Sequence, residues 1–182
     1  MNGYPQSTRR YTKDWHKLLR DEGMFELPRQ RVLLLGLGGG DIVKLFGKYQ
    51  PEAKLTVIEK EEELITIAAQ YFGVRESDNT QIVVADANKY VTTNKEKFDL
   101  IIVDLYSGDD VPDFVGSQIF LDKLKQTISQ RGSAVFNYAS HSFRDQDFLR
   151  FQKKLQQTFG WAKNIDIWGH RYFVAKNQVF VR

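Results

Sequence analysis

The strongest constraint on the fold of this chain is Arg31–Leu35 (RVLLL), an unbroken apolar run that ends on Gly36-Leu37-Gly38-Gly39-Gly40-Asp41. A strand apolar on both sides must be covered on both sides, and glycines at its carboxyl end let the backbone turn sharply. Helical spacing follows: Ile42, Leu45, Phe46 and Tyr49 fall at i, i+3, i+4 and i+7, and Pro51 ends the run. The alternation then repeats. Residues 54–58 (KLTVI), 81–85 (QIVVA), 99–103 (DLIIV) and 133–138 (SAVFNY) read as strands. Helices are expected over 61–72, stopped by Gly73, and over 145–159. A third helix, capped by Ser117, carries Phe120, Leu121, Leu124 and Ile128. Residues 164–168 and 171–176 read as two strands joined at Gly169, too close for a crossover and therefore an antiparallel hairpin. The expected architecture is α/β: a mostly parallel sheet with helices on both faces, closed by an antiparallel pair.

Composition narrows the function classes. With 182 residues, 42% hydrophobic and 27% charged, the chain can bury a full core as one domain, or one domain with a short appendage. No apolar run is long enough for a bilayer, and MNGYPQSTRR carries no signal-peptide core, so a cytoplasmic protein is expected. There is no cysteine, which excludes disulfides, zinc ribbons and thiol nucleophiles. His16, His141 and His170 are scattered, and no metal is expected. The net charge of +3 is weak evidence for a nucleic-acid partner.

In sheets of this kind ligands bind beyond the carboxyl ends of the strands. Those ends are the 36–41 segment, Glu59, Asp86, Asp104 and Asn137. The glycine segment lacks the third glycine of a dinucleotide fingerprint and has Asp41 in its place. A carboxylate there repels a pyrophosphate, which disfavours NAD and FAD. Asp41 is either a helix cap or a contact to a cationic ligand group. Glu59 is either a surface acid or the acceptor for two ribose hydroxyls. Asp86 either caps a short helix containing Tyr90 and Val91 or accepts from an adenine amine. Together they describe a nucleoside without phosphates and with a cationic centre, the shape of S-adenosylmethionine or a relative. From Phe98 to Asp122 there is no Lys or Arg, while Asp99, Asp104, Asp109, Asp110, Asp113 and Asp122 all fall there. Asp104, directly after an apolar strand, can take a proton from an attacking amine. Asp109 and Asp110 either hold further ammonium groups or form a solvated turn with Gly108, and Tyr106 can wall the channel.

The runs RVLLLGLGGGDIV, LTVIEKEEELITIAAQYFG, IVVADANKYV and FDLIIVDLYSGDDVPDFVGSQIFL resemble the spermidine synthase-like group of class I S-adenosylmethionine-dependent transferases. The resemblance implies a Rossmann-like, class I methyltransferase-type fold with a seven-stranded sheet. It implies a helical arm over residues 1–30, packed on or near the active site, and a catalytic domain over 31–182. By resemblance Gly36, Gly38, Glu59, Asp86 and Ala87 bind the nucleoside and Asp104 is catalytic, with Gly40, Asp41 and Lys60 completing the donor site. The arm segments NGYPQS and KDWHKLL resemble a stretch in which a Gln and an aromatic–His pair face the active site, which adds Gln6 and His16 to Tyr106, Asp109 and Asp110 on the acceptor side. The implied donor is S-adenosylmethionine or its decarboxylated form, and the implied reaction is aminopropyl transfer to a small-molecule amine of polyamine type. A homodimer is one assembly open to it. Polyamine synthases carry Asp-x-x-Asp-Pro after the fourth strand; here the stretch from Asp104 to Pro112 is longer and its second acids are displaced. The stretch ahead of Arg31 is too short for the β-strand domain that family carries there. Two other readings stay open: a methyltransferase acting on a small molecule or on nucleic acid through Arg9, Arg10 and Lys13, and a non-catalytic nucleoside-binding or scaffold protein.

Overall fold

The computed structural model describes residues 9–26, 30–108, 110–138 and 143–177. Helix α1 (Arg9–Asp21) precedes an alternation of β1 (Arg31–Leu35), α2 (Asp41–Tyr49), β2 (Lys54–Glu59), α3 (Glu62–Phe72), β3 (Thr80–Val84), α4 (Ala87–Thr93) and β4 (Phe98–Val103). A short 3-10 turn at Asp113–Gly116 leads into α5 (Gln118–Thr127), β5 (Ile128–Asn137), α6 (Asp145–Phe159), β6 (Gly160–Ile167) and β7 (His170–Asn177). The seven strands form one sheet in the order β3-β2-β1-β4-β5-β7-β6. β1 to β5 run parallel, and β7 runs antiparallel to both β5 and β6. The expected hairpin is therefore present, and it folds inward, so that its second strand pairs with β5.

Side chains alternate across a strand, and β1 shows what that does here. Leu33 and Leu35 join the core under α4, α5 and α6, with Val103, Phe120, Phe136, Phe151 and Phe173. Val32 and Leu34 join the opposite core, with Phe46 of α2 and Ala68 of α3. Helix α1 belongs to this second core: Trp15, Leu18 and Leu19 are essentially inaccessible, and the Trp15 ring packs edge-on at 5.1 Å against Tyr172 of β7.

Two strands begin earlier than the sequence suggests. Ile128, read as helical, is extended and pairs with Phe98 across a register shift, so β5 starts at the last turn of α5. Gly160 caps α6 in a left-handed conformation and is also the first residue of β6. Both helices run directly into strands, which leaves no polar loop to mark the boundary. Among the described residues no helix is long and apolar enough to cross a membrane.

Candidate active site

The carboxyl ends of the parallel strands share one edge of the sheet, and two glycines with different constraints shape it. Gly36 has φ 94°, and a Cβ there would lie 2.2 Å from the carbonyl oxygen of Asp104. Only a residue without a side chain lets the end of β1 come this close to the residue after β4. Gly38 also has positive φ, at 52°, yet nothing lies within 4 Å of where its Cβ would be. Its open side lines a cleft with Tyr11, Leu37, Gly39, Asp41, Ile42 and Asp104. Gly40, left-handed, is the N-cap of α2, so buried Asp41 is the first helical residue and not the cap.

Glu59 ends β2 and is buried. Its Oε2 accepts from the Leu37 amide at 3.0 Å, and its Oε1 accepts from the amides of Lys60 at 2.8 Å and Glu61 at 3.0 Å. The side chain thus ties the glycine segment to the end of β2. A carboxylate offers roughly four acceptor sites, so one or so remains for a ligand. Lys60 is exposed, with its ammonium 3.5 Å from the Glu61 carboxylate, and is not among the residues lining the cleft. Asp86 caps α4: its Oδ1 accepts from the Lys89 amide at 2.8 Å. Ala87 behind it is buried in the core.

Asp104 continues the ladder through its amide, which donates to Leu35 at 2.9 Å. Its Oδ1 accepts from the Tyr11 hydroxyl at 2.6 Å and from Asn137 Nδ2 at 3.0 Å, and the same Nδ2 donates to the Tyr11 oxygen at 2.8 Å. Burial pushes the Asp104 carboxyl up to about 6; the hydrogen bonds from Tyr11 and Asn137 pull the other way, and the Asp41 charge adds to the rise. Burial and the neighbouring Asp104 charge hold the Tyr11 hydroxyl well above its ordinary value, so it stays a donor.

The acceptor-side expectations are dispersed. Tyr106 is half-buried and lies close enough to Tyr11 to add slightly to the rise of its hydroxyl above the ordinary value. Asp110 is exposed, and its backbone pairs with that of Ser107. Gln6 and Asp109 lie outside the described residues. His16 stacks on Tyr49 with ring centroids 4.6 Å apart, at the carboxyl-terminal end of α2, whereas the cleft lies at its amino-terminal end. The structure therefore does not bring His16 to Asp104.

The spermine/spermidine synthase domain matches residues 13–166. The chain belongs to that family. A polyamine aminopropyltransferase of Vibrio vulnificus is 30% identical over 122 residues, covering 65% of this chain and 41% of the relative. One from Saccharolobus islandicus is 27% identical over 168 residues, covering 87% of this chain and 56% of the relative. The chain thus spans about half the length of the curated relatives it matches. A probable spermidine synthase from Corynebacterium glutamicum superposes with TM-score 0.79 at 20% identity, covering 98% of this chain and 68% of that one. A spermidine synthase bound to the transition-state analogue AdoDATO superposes with TM-score 0.75 at 19% identity, covering 90% and 60%. At these identities the structural likeness shows the fold.

Within this family member, Tyr11 and the side chain of Asn137 are the site residues that sequence reasoning missed. Tyr11, Trp15, Leu18 and Leu19 form an i, i+4, i+7, i+8 stripe, a legible sign that Tyr11 faces inward. Asn137 stands at a strand end, but nothing local says that its amide turns toward a carboxylate 33 residues earlier.

Proposed function

We propose that this chain transfers an aminopropyl group from decarboxylated S-adenosylmethionine to a small amine. The observation that carries this reading is the charge of the cleft. Its described lining presents two carboxylates, Asp41 and Asp104, and no cationic side chain. S-adenosylmethionine ends in an ammonium and a carboxylate, and the decarboxylated form in an ammonium alone. A cleft with two acids favours the tail without its own acid. Membership of the family supports the same reading.

The donor also fits the surrounding backbone. Gly38 leaves space that any side chain would fill, and Glu59 and Asp86 stand at neighbouring strand ends, where we assign them to the ribose and the adenine amine. Asp104 is the proton acceptor. The neutral amine attacks the methylene carbon next to the sulfonium; the carbon–sulfur bond breaks, and its electron pair neutralises sulfur. The amine's proton passes to Asp104. A carboxyl near pH 6 is ionised at neutral pH yet basic enough to accept a proton, the balance general base catalysis needs. Tyr106 and Asp110 are assigned to the acceptor side.

Calorimetry tests the donor assignment. Decarboxylated S-adenosylmethionine should bind at least about tenfold more tightly than S-adenosylmethionine, a difference of about 1.4 kcal/mol, and Asp41→Asn should narrow the gap. Equal affinity for the two donors would return the site to the methyltransferase reading.

A further inference from the structure

We propose, resting on the proton-acceptor reading of Asp104, that Asn137 is the positioning residue of this site: its amide fixes the Asp104 carboxylate and the Tyr11 hydroxyl in one arrangement. The geometry is a closed ring of three hydrogen bonds joining α1, β4 and β5. Asn137 Nδ2 donates to Tyr11 Oη at 2.8 Å and to Asp104 Oδ1 at 3.0 Å, while Tyr11 gives its own proton to the same Oδ1 at 2.6 Å. Both bonds to Asp104 end on Oδ1. Oδ2 takes none from the described residues and is the oxygen left to meet an amine proton.

The chemistry requires a hydrogen-bond donor at this position, and an amide supplies one through its nitrogen. Turned over, Asn137 would set its carbonyl oxygen against a carboxylate oxygen with no proton between them, so the two acceptors dictate its orientation. An aspartate would add a negative charge about one hydrogen-bond length from Asp104, and a leucine would supply no donor. Asn137 is itself held within the sheet: it is 1% exposed, and its backbone pairs in register with Tyr172 of β7. Its Oδ1 and the Tyr172 hydroxyl are buried with no partner among the described residues.

The groups around Asp104 divide by sign. Asp41 from α2 raises its affinity for a proton. Tyr11 from α1, Tyr106 from the following loop and Tyr172 from β7 are phenols, and burial together with nearby acids keeps Tyr11 and Tyr172 protonated. His170 packs edge-on against Tyr11 at 6.5 Å. Asn137 and Tyr11 are the donors that hold Asp104 ionised against burial.

The test is a carbon-13 NMR titration of the Asp104 carboxyl in selectively labelled protein, with Asp104→Asn for assignment. The wild-type midpoint should fall near 6. Asn137→Leu should raise it by about one to two pH units, the equivalent of one charge-assisted hydrogen bond. The acid limb of kcat should move by the same amount, with little change in donor KM. Asn137→Ser, whose hydroxyl has one hydrogen for two acceptors, should give a smaller shift of the same sign and covers the case in which the leucine variant does not fold. A purely structural role predicts lower stability with the midpoint unmoved, and that result overturns the proposal. The titration reads Asp104 directly, so it stands whether or not an amine is found to react; failure of the aminopropyl reading shows separately, as absent turnover in the wild type.

Discussion

Asp104 serves the site at a cost to the fold. A carboxyl raised from the ordinary range near 4 to about 6 binds its proton more tightly in the folded chain than in the unfolded one. Folding therefore takes up protons between those two values, and stability falls as pH rises through that window. Asp104→Asn keeps the shape and both incoming hydrogen bonds while removing the charge. It should raise Tm at pH 7.5, by the equivalent of about 1–3 kcal/mol, and the gain should vanish below about pH 4; melting curves at the two pH values check this. Turnover should move the other way, falling about 10²–10⁴-fold, the usual scale for loss of a general base. In the wild type kcat should rise through pH 6 and level off above it, because the acceptor must be ionised; a pH–rate profile checks the sign. Asp104 could be picked out from sequence because a charge directly after Leu100–Val103 has no place in a core. Its pairing with Tyr11 could not, since 93 residues separate them and only the packing of α1 into the core beside α2 and Tyr172 of β7 brings them together.

At the scale of elements, the segment joining β1 to α2 carries two opposite demands. Gly36→Ala drives a Cβ into the Asp104 backbone, 2.2 Å away, and must part β1 from the end of β4. It should lower stability by more than about 2 kcal/mol and disable the site together. Gly38→Ala meets no atom and bears only the strain of a left-handed residue, about 1–2 kcal/mol, while its new methyl enters the cleft. It should fold and lose donor affinity. Denaturant unfolding paired with calorimetry on both variants separates the two roles. The elements themselves were legible because strands apolar on both faces alternate with amphipathic helices. Their boundaries were less so where a helix passes straight into a strand, as at Ile128 and Gly160. Gly36 and Gly38 look alike in sequence; only the approach of β4 distinguishes them.

For the whole molecule, α1 carries one wall of the site into the core. The resemblance implies an arm over residues 1–30 near the active site, with Gln6 and an aromatic–His pair that includes His16 facing it. Instead the side of α1 bearing Trp15, Leu18 and Leu19 packs onto the sheet, Tyr11 reaches Asp104, and His16 turns toward Tyr49. Trp15 and His16 point about 100° apart around the helix: Trp15 enters the core while His16 stacks on Tyr49. Trp15→Ala should cost about 3–5 kcal/mol and weaken activity beyond what the unfolded fraction explains, because it loosens the helix that holds Tyr11. Activity per folded molecule, from parallel circular dichroism and turnover at low temperature, checks this.

The most direct test of aminopropyl transfer is product analysis by mass spectrometry after incubation with decarboxylated S-adenosylmethionine and, separately, with S-adenosylmethionine, each against a panel of di- and polyamines. The decarboxylated donor should yield methylthioadenosine and an amine one aminopropyl unit heavier in equal amounts, and Asp104→Asn should abolish nearly all of both. S-adenosylhomocysteine and a methylated acceptor from S-adenosylmethionine, with no methylthioadenosine from the decarboxylated donor, would contradict it.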